Sequence, residues 1–395
     1  MKNEKKILSK QKILSKQKKL GQYFTKDESL LKNVFKFIKN NPIKILEPCV
    51  GQGDIVSYVL RETPLVQFDM FEIDATLQPL QNIDKNIIAY QDFLKSEIHD
   101  KYETIVGNPP FVGTKKGNLY IDFVEKCYRL LNIGGELIFI VPSDFFKLTS
   151  CVKILEEMMT NGTFTDVYHP HKENLFENAS IDVLIFRYCK NADLVHKTIY
   201  NGEQTNLVHN NGLITFSNNS HAKQTNISDL FRVCVGLVSG KEDVFKNSKL
   251  GNIEVLNAEN VVDRYIFVDS WPVENKIIDD YFLQHKSELL DRKIRAFTDK
   301  NWFEWGAPRN ISVMRDNAGK PCIYMYNLTR QEKVAFCGKV QYFGGGLLML
   351  LPKDTMTHDK MKECVEYFNS SNFKQNFTFS GRFKIGQRQL CNSQI

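Results

Sequence analysis

The sequence predicts an α/β fold built on a parallel, doubly wound sheet, and two patterns in it lead there. Between residues 30 and 142, short apolar runs alternate with stretches of helical spacing. Strands separated by helices need right-handed crossovers, which make neighbouring strands parallel. The chemically unusual residues also gather just after the apolar runs, at the carboxyl ends where such a sheet carries its site.

The elements follow in order. "LLKNVFKFI" (30 to 38) has helical spacing, "KILEPCV" (44 to 50) is a short strand, and "GQGD" (51 to 54) is a turn that opens a second helix. "LVQFDMFEID" (65 to 74) is a strand ending in acids, "NIIAYQDF" (86 to 93) a third and "ETIVGNPPF" (103 to 111) a fourth. "YIDFVEKCYRLLNIGGELIFIVP" (120 to 142) reads as a helix, a Gly-Gly stop and a fifth strand. Past residue 190 the pattern turns irregular, with short strand-like pieces ("HKTIY", "GLITF") and an asparagine-rich stretch over 201 to 226. A chain of 395 residues with 42% hydrophobic residues can bury two medium cores, so the predicted division is a basic extension over 1–20, the α/β domain over 21–190 and a second domain over 191–395.

Charge is uneven along the chain. Residues 1–20 carry eight lysines and one glutamate, within the repeat "KKILSK", "QKILSK", "QKKL"; residues 21–189 carry 17 basic against 23 acidic side chains, and residues 190–395 carry 27 against 22. The repeat fits either a basic amphipathic helix on nucleic acid or a solvated extension. No run of about 18 apolar residues and no apolar signal segment is present, which predicts a cytoplasmic protein with no membrane partner. The nine cysteines form no CxxC pair and no ligand-like spacing with the eight histidines, so reduced thiols and no metal are expected.

Three strand ends suggest an adenosine pocket. "EPCVGQGD" places two glycines where a strand enters a helix, so that backbone can approach a ligand; alone it is also an ordinary turn. Some 20 residues on, Glu72 ends the second strand, where a doubly wound fold sets an acid for ribose hydroxyls. Asp92 and Phe93 end the third, offering an acceptor for an exocyclic amine and a ring for a purine. The fourth strand ends in "NPPF". Asn108 presents a side-chain carbonyl, Pro109 and Pro110 stiffen the loop and donate no N–H, and Phe111 supplies a planar clamp. Rigid acceptors beside an aromatic ring suit a planar amine whose lone pair must be exposed to a methyl donor.

On these residues the chain resembles a gamma-class, TaqI-like adenine-N6 DNA methyltransferase that uses S-adenosylmethionine. The resemblance is close over residues 20–189. "LGQYFT" is similar to the N-terminal cofactor motif, "LEPCVGQGD", "FEID" and "QDF" to the next three, and "GNPPF" to the catalytic (N/D/S)PP(Y/F/W) motif. "LIFIVPSDFF" resembles the strand that follows, and "NLFENASIDVLIF" the segment whose Phe176 would supply a second aromatic wall. The catalytic aromatic here is Phe rather than the commoner Tyr. Only about 60 residues separate Phe111 from Phe176, too few for a recognition domain, which therefore follows residue 190 as in the gamma arrangement.

The resemblance implies a seven-stranded, mostly parallel Rossmann-like methyltransferase domain followed by a mixed α+β target-recognition domain. It implies that Asn108 and the Pro109 carbonyl accept from N6 of an adenine flipped out of duplex DNA, with Pro110 shaping the loop and Phe111 and Phe176 stacking on the base. Tyr23, Thr25, Glu47, Cys49 and Gly51 would hold the methionine end of the cofactor, Glu72 its ribose, and Ile73, Asp92 and Phe93 its adenine, beside Asn108. In the second domain "VCVGLVSGKEDVF", "NWFEWGAPRN" and "GRFKIGQRQL" combine basic and aromatic residues, making Lys241, Trp305, Arg309, Arg382, Lys384 and Arg388 candidates for DNA contact. The expected protein is a monomer acting on double-stranded DNA as the modification enzyme of a restriction-modification system, with a possible cognate endonuclease. Enzymes that methylate an RNA base or a protein glutamine share the NPP(Y/F) acceptors and are the alternative, and a catalytically silent DNA-binding subunit is a further one.

Overall fold

The computed structural model describes residues 20–114, 117–177, 180–191, 197–217 and 225–395. The lysine repeat lies outside them. The chain divides into two units at residues 221 and 222.

The first unit is built on one ten-stranded sheet. Its strands are β1 (Lys44–Glu47), β2 (Gln67–Glu72), β3 (Ile88–Tyr90), β4 (Tyr102–Gly107), β5 (Leu131–Pro142), β6 (Thr163–Tyr168), β7 (Val183–Cys189), β8 (Lys197–Tyr200), β9 (Glu203–Asn210) and β10 (Leu213–Ser217). They lie in the order β10-β9-β8-β6-β7-β5-β4-β1-β2-β3. From β3 across to β5 every pairing is parallel; β7 runs antiparallel to both β5 and β6. The seven expected strands are therefore present, one of them reversed.

Both faces of this sheet are covered, which is why its strands read as unbroken apolar runs. On β4, Ile105 faces one core and Val106 the other; Leu137 and Phe139 of β5 alternate in the same way with Ile138 and Ile140. One side packs α3 (Leu119–Leu130) and α4 (Val152–Thr160), the other α1 (Glu28–Phe37) and α2 (Asp54–Glu62). In α1 the buried residues Leu30, Val34 and Phe37 fall at helical spacing, and the Asp27 carboxylate caps its start by accepting from the N–H groups of Ser29 and Leu30. At the end of the sheet away from the cleft, Glu136 is fully buried. It accepts from Arg187 Nε at 2.7 Å, from Thr104 Oγ1 at 2.9 Å and from the N–H groups of Lys39 and Asn40, so the buried charge is paired and hydrogen-bonded.

The expected boundary at 190 moves to 221. The pieces read as irregular after 190 are β8, β9 and β10, and β8 pairs in parallel with β6. Their sequences are short and partly polar because they form the exposed edge of the sheet, so periodicity alone did not assign them to it. Side-chain contacts also bind this edge to the core: the rings of Phe146 and Phe216 lie 5.5 Å apart, and Lys147 donates to the Ile214 carbonyl.

The second unit contains a four-stranded antiparallel sheet of β11 (Phe231–Val235), β12 (Pro321–Tyr326), β13 (Ala335–Lys339) and β14 (Leu347–Pro352), in the order β11-β14-β12-β13. Alternate residues again serve different cores: Cys322, Tyr324 and Met349 pack with Trp302 and Trp305, while Ile323, Met325 and Leu350 pack with Phe368 of the helix His358–Asn369. Among the described residues no helix is long and apolar enough to cross a membrane.

Lys147 is 4% exposed, and burial holds its ammonium down to about 7. Unfolded, it titrates near 10.4, so between those values the unfolded chain binds a proton that the folded chain does not, and stability rises with pH. From pH 6.5 to 8.5, urea unfolding should show the wild type gaining about 1 to 2 kcal/mol relative to Lys147→Met. A constant gap between the two would show that the ammonium reaches solvent.

Candidate active site

The sheet order changes direction between β1 and β4, and the carboxyl ends on either side of this switch point form an open cleft. It encloses about 880 Å³, counted out to its mouth. The segment 20–24, the turn after β1, the ends of β2, β3 and β4, and the start of α3 line it.

Glu72 reaches the cleft as the last residue of β2 and is 6% exposed. Its Oε2 accepts from Gly51 N–H at 2.9 Å and its Oε1 from Asp74 N–H at 2.9 Å. Burial raises its pKa, and these two N–H groups oppose the rise. Gly51 has φ +59, a backbone conformation that L side chains rarely adopt, and so brings its N–H to Glu72. Ile73, 58% exposed, offers an apolar face at the wall of the cleft. Asp92 accepts from Leu94 N–H at 3.1 Å and pairs with Lys95 at 3.0 Å. Of the ten cofactor residues expected from sequence, Tyr23, Cys49, Gly51, Glu72, Ile73, Asp92, Phe93 and Asn108 line this one cleft.

Two do not. Thr25 stands behind Asn108 as a hydrogen-bond partner, and Glu47 is 2% exposed behind Cys49, whose N–H donates to it at 3.2 Å. Burial pushes the Glu47 carboxyl up to about 8, so it is mostly protonated at neutral pH. Phe93 lines the cleft with little surface, because its ring stacks on Phe123 at 5.5 Å and meets Phe71 edge-on at 5.3 Å.

The Asn108 amide is held from one end. Its Nδ2 donates to the Tyr23 carbonyl at 2.7 Å and to Thr25 Oγ1 at 3.0 Å. The Tyr23 carbonyl can only accept, so this network assigns the nitrogen to that side. Oδ1 is left buried without a partner. The loop continues with the Pro110 carbonyl accepting from Val112 N–H at 3.1 Å. Gly21 makes the approach of the segment 20–25 possible: a Cβ there would lie 2.4 Å from Val112 Cγ2 and 3.1 Å from Phe111 N. Sequence reading assigned Gly21 nothing; its place two residues before Tyr23 is the signal that could have found it.

Phe111, Tyr23 and Phe176 form a ring cluster. Tyr23 lies nearly parallel to Phe111, with centroids 5.7 Å apart at 25°, whereas Phe176 meets Phe111 edge-on at 6.2 Å and 73°. Phe176 is 4% exposed and does not present an open face. The parallel partner of Phe111 is the residue that sequence reading placed at the methionine end.

The second unit disperses its candidates. Trp305 is 2% exposed in the core, with Nε1 donating to the Ile266 carbonyl at 2.9 Å, which removes it as a DNA contact. Lys241 pairs with Glu288 at 3.0 Å. Arg382 and Lys384 flank the buried Phe383 on one short strand and are exposed together; Arg309 is exposed elsewhere, and Arg388 is half-buried.

Seven mostly parallel strands, β1 to β7 with only β7 reversed among them, and a cleft over their carboxyl edge make the fold of the S-adenosylmethionine-dependent methyltransferases, and the first unit has it. Residues 63–176 match the family described as Eco57I restriction-modification methylase. The chain is 24% identical over 273 residues to the type II methyltransferase M.HincII of Haemophilus influenzae, covering 63% of this chain and 53% of that protein. It is 33% identical over 146 residues to the modification methylase CviBIII of Paramecium bursaria Chlorella virus NC1A, covering 32% and 38%. It thus spans about half or less of the length of these relatives. The Type IIL restriction-modification enzyme MmeI, solved in complex with DNA, shares the fold over 97% of this chain and 65% of its own at 11% identity, with a TM-score of 0.57.

The cleft fits the cofactor of that fold: the buried Glu72 carboxylate would accept from ribose hydroxyls, apolar Ile73 with polar Asp92 would meet a purine, and an orphaned acceptor on Asn108 lies beside them. Glu72→Ala should weaken S-adenosylmethionine binding by about 1.5 to 3 kcal/mol, the worth of charged-acceptor hydrogen bonds. Titration calorimetry decides it, and unchanged affinity would remove Glu72 from the site.

Proposed function

We propose that this protein is a site-specific DNA methyltransferase that methylates N6 of adenine, the modification enzyme of a restriction-modification system. The observation that carries the reading is the Asn108 side chain. Both of its donor hydrogens are committed behind it and its oxygen is left unsatisfied in the cleft wall. A buried carbonyl oxygen without a partner costs about 1 to 3 kcal/mol, a cost that an arriving N–H donor would remove. The relatives named as type II methyltransferases and modification methylases support DNA as the substrate.

When bound, S-adenosylmethionine supplies an electrophilic methyl group on a sulfonium. The chain's own residues prepare the nucleophile. An adenine within a duplex is out of reach, so it must be flipped out and restacked. Phe111 provides the stacking face, Tyr23 lies opposite it, and Phe176 meets Phe111 edge-on while packing tilted against Tyr23. Asn108 Oδ1 accepts one N6 proton and the Pro109 carbonyl the other, drawing the nitrogen toward a tetrahedral shape and exposing its lone pair. Glu72 and Asp92 orient the nucleoside portion of the cofactor, and the buried floor of the cleft keeps water from competing.

Asn108→Ala should lower turnover by about two orders of magnitude or more, as for loss of one preorganised polar partner, while duplex binding stays near normal. Phe111→Ala should lose stacking worth about 1 to 3 kcal/mol, and Phe111→Trp should be tolerated far better. Sequencing of modified bases in DNA from cells expressing the protein identifies both the base and the site. If modification appears on RNA or on a glutamine instead, the substrate assignment falls and the amine chemistry stands; wild-type turnover by Asn108→Ala would remove the chemistry as well.

Arg382 and Lys384 share an exposed face and are proposed to bind phosphates of the duplex. Neutralising either side chain should reduce the slope of log affinity against log salt by about one. Duplex binding by the doubly charge-reversed protein with an unchanged slope would place the DNA face elsewhere.

A further inference from the structure

A polar array that the proposed chemistry does not use lies at the same carboxyl edge, where the ends of β5, β6 and β8 meet the start of β7. His169 follows β6 and is 3% exposed. Its Nε2 lies 2.9 Å from Asp182 Oδ2 and 3.1 Å from Oδ1, and its Nδ1 lies 3.1 Å from the Tyr200 hydroxyl. Ser143, just after β5, donates from Oγ to Asp182 Oδ2 at 2.9 Å and from its N–H to the Asp182 carbonyl at 3.0 Å. Asn201 then fixes the His169 backbone, accepting from its N–H at 2.7 Å and donating to its carbonyl at 3.0 Å. Burial pushes the Asp182 carboxyl up, but hydrogen bonds from His169 and Ser143 together with the histidine charges outweigh this and hold it below its ordinary value. Ser143 addresses the carboxylate rather than the imidazole, so the array is not a nucleophile with its base.

Its position suggests a different role. His169 and Asp182 stand at the two ends of the segment that leaves β6 and returns to β7, and Phe176 lies within that segment. The interior is tied as well: Ile181 N–H donates to the Glu173 carbonyl at 3.1 Å and Ser180 Oγ to the Glu173 carboxylate at 3.0 Å. Lys26 reaches Glu177 at 3.1 Å, which links the segment to the strand of chain that carries Tyr23 and Thr25. A loop of this length keeps its conformational freedom unless its ends are pinned, and a charge-assisted pair out of water pins them firmly.

We propose that His169 and Asp182 are positioning residues for the reaction. They close the segment 169–182 at its base and thereby hold Phe176 against Phe111 and Tyr23, with Ser143 and Tyr200 completing the clamp. The proposal rests on the methyltransferase reading for its effect on turnover, and on geometry alone for its effect on the segment.

Two measurements test these halves separately. Asp182→Ala should lower kcat for duplex methylation at least tenfold while KM for S-adenosylmethionine stays within twofold; Asp182→Asn, which keeps the shape and an acceptor for His169, should retain most of the rate. On a Phe176→Ala background the same Asp182→Ala change should cost less than twofold more, because both act through one ring. Hydrogen exchange in Asp182→Ala should rise across 169–177 and 180–182 with β5 and β7 still protected. Unchanged exchange, or losses that multiply in the double variant, would overturn the clamp. A wild-type protein that transfers no methyl group to DNA would overturn the functional reading, and exchange would then decide the clamp. Should Asp182→Ala fail to fold, Ser143→Ala and Tyr200→Phe each remove one outer hydrogen bond and should slow turnover two- to fivefold; wild-type rates in both would equally overturn it.

Discussion

A side-chain amide has two donor hydrogens and one carbonyl oxygen, and at Asn108 the fold spends both hydrogens on the segment 23–25. That constraint organises the cleft. Because the Tyr23 carbonyl and the Thr25 hydroxyl take the nitrogen, the oxygen has a fixed direction and no partner of its own. Other residues then have defined reasons to be what they are. Gly21 must lack a side chain for the segment to lie against Val112, and the proline pair stiffens the loop that carries the amide. Tyr23 places its ring parallel to Phe111 because its carbonyl is already bound to Asn108 of the same loop.

The sheet supplies the rigidity that such a constraint needs. Its two cores bury β4 and β5 on both faces, and the Glu136–Arg187 pair locks the edge opposite the cleft. Polar groups at the carboxyl edge are therefore held by strands that cannot shift independently. Glu72 is a clear instance: burial disfavours its charge, yet two backbone N–H groups aim at its oxygens and hold them in place. The clamp of His169 and Asp182 repeats this logic beside it, with a polar array closing a loop instead of presenting a ligand face.

The second unit uses similar packing for a different surface. Its central strands are apolar throughout because alternate residues enter separate cores, and Trp305, expected at the DNA surface, is consumed in one of them. Charged residues are what remain outside. Arg382 and Lys384 emerge on one face because Phe383 between them turns inward.

Sequence by itself determined the alternation of strands and helices from 30 to 142, the acids and glycines at the strand ends, and the Asn-Pro-Pro-Phe loop. These are local signals: a period of two or 3.6, a proline without an N–H, or a glycine at a turn is legible wherever it occurs. Tertiary structure alone decided the rest. β8, β9 and β10 join the sheet because of pairing with β6 and contacts from Phe146 and Lys147, partners far away in the chain. Phe176 turned out to be a buried edge rather than an open face, Trp305 a core residue, and Glu47 and Thr25 supports behind the wall of the cleft. A side chain's direction and burial depend on what arrives opposite it from elsewhere in the chain, and residue type and spacing do not carry that information.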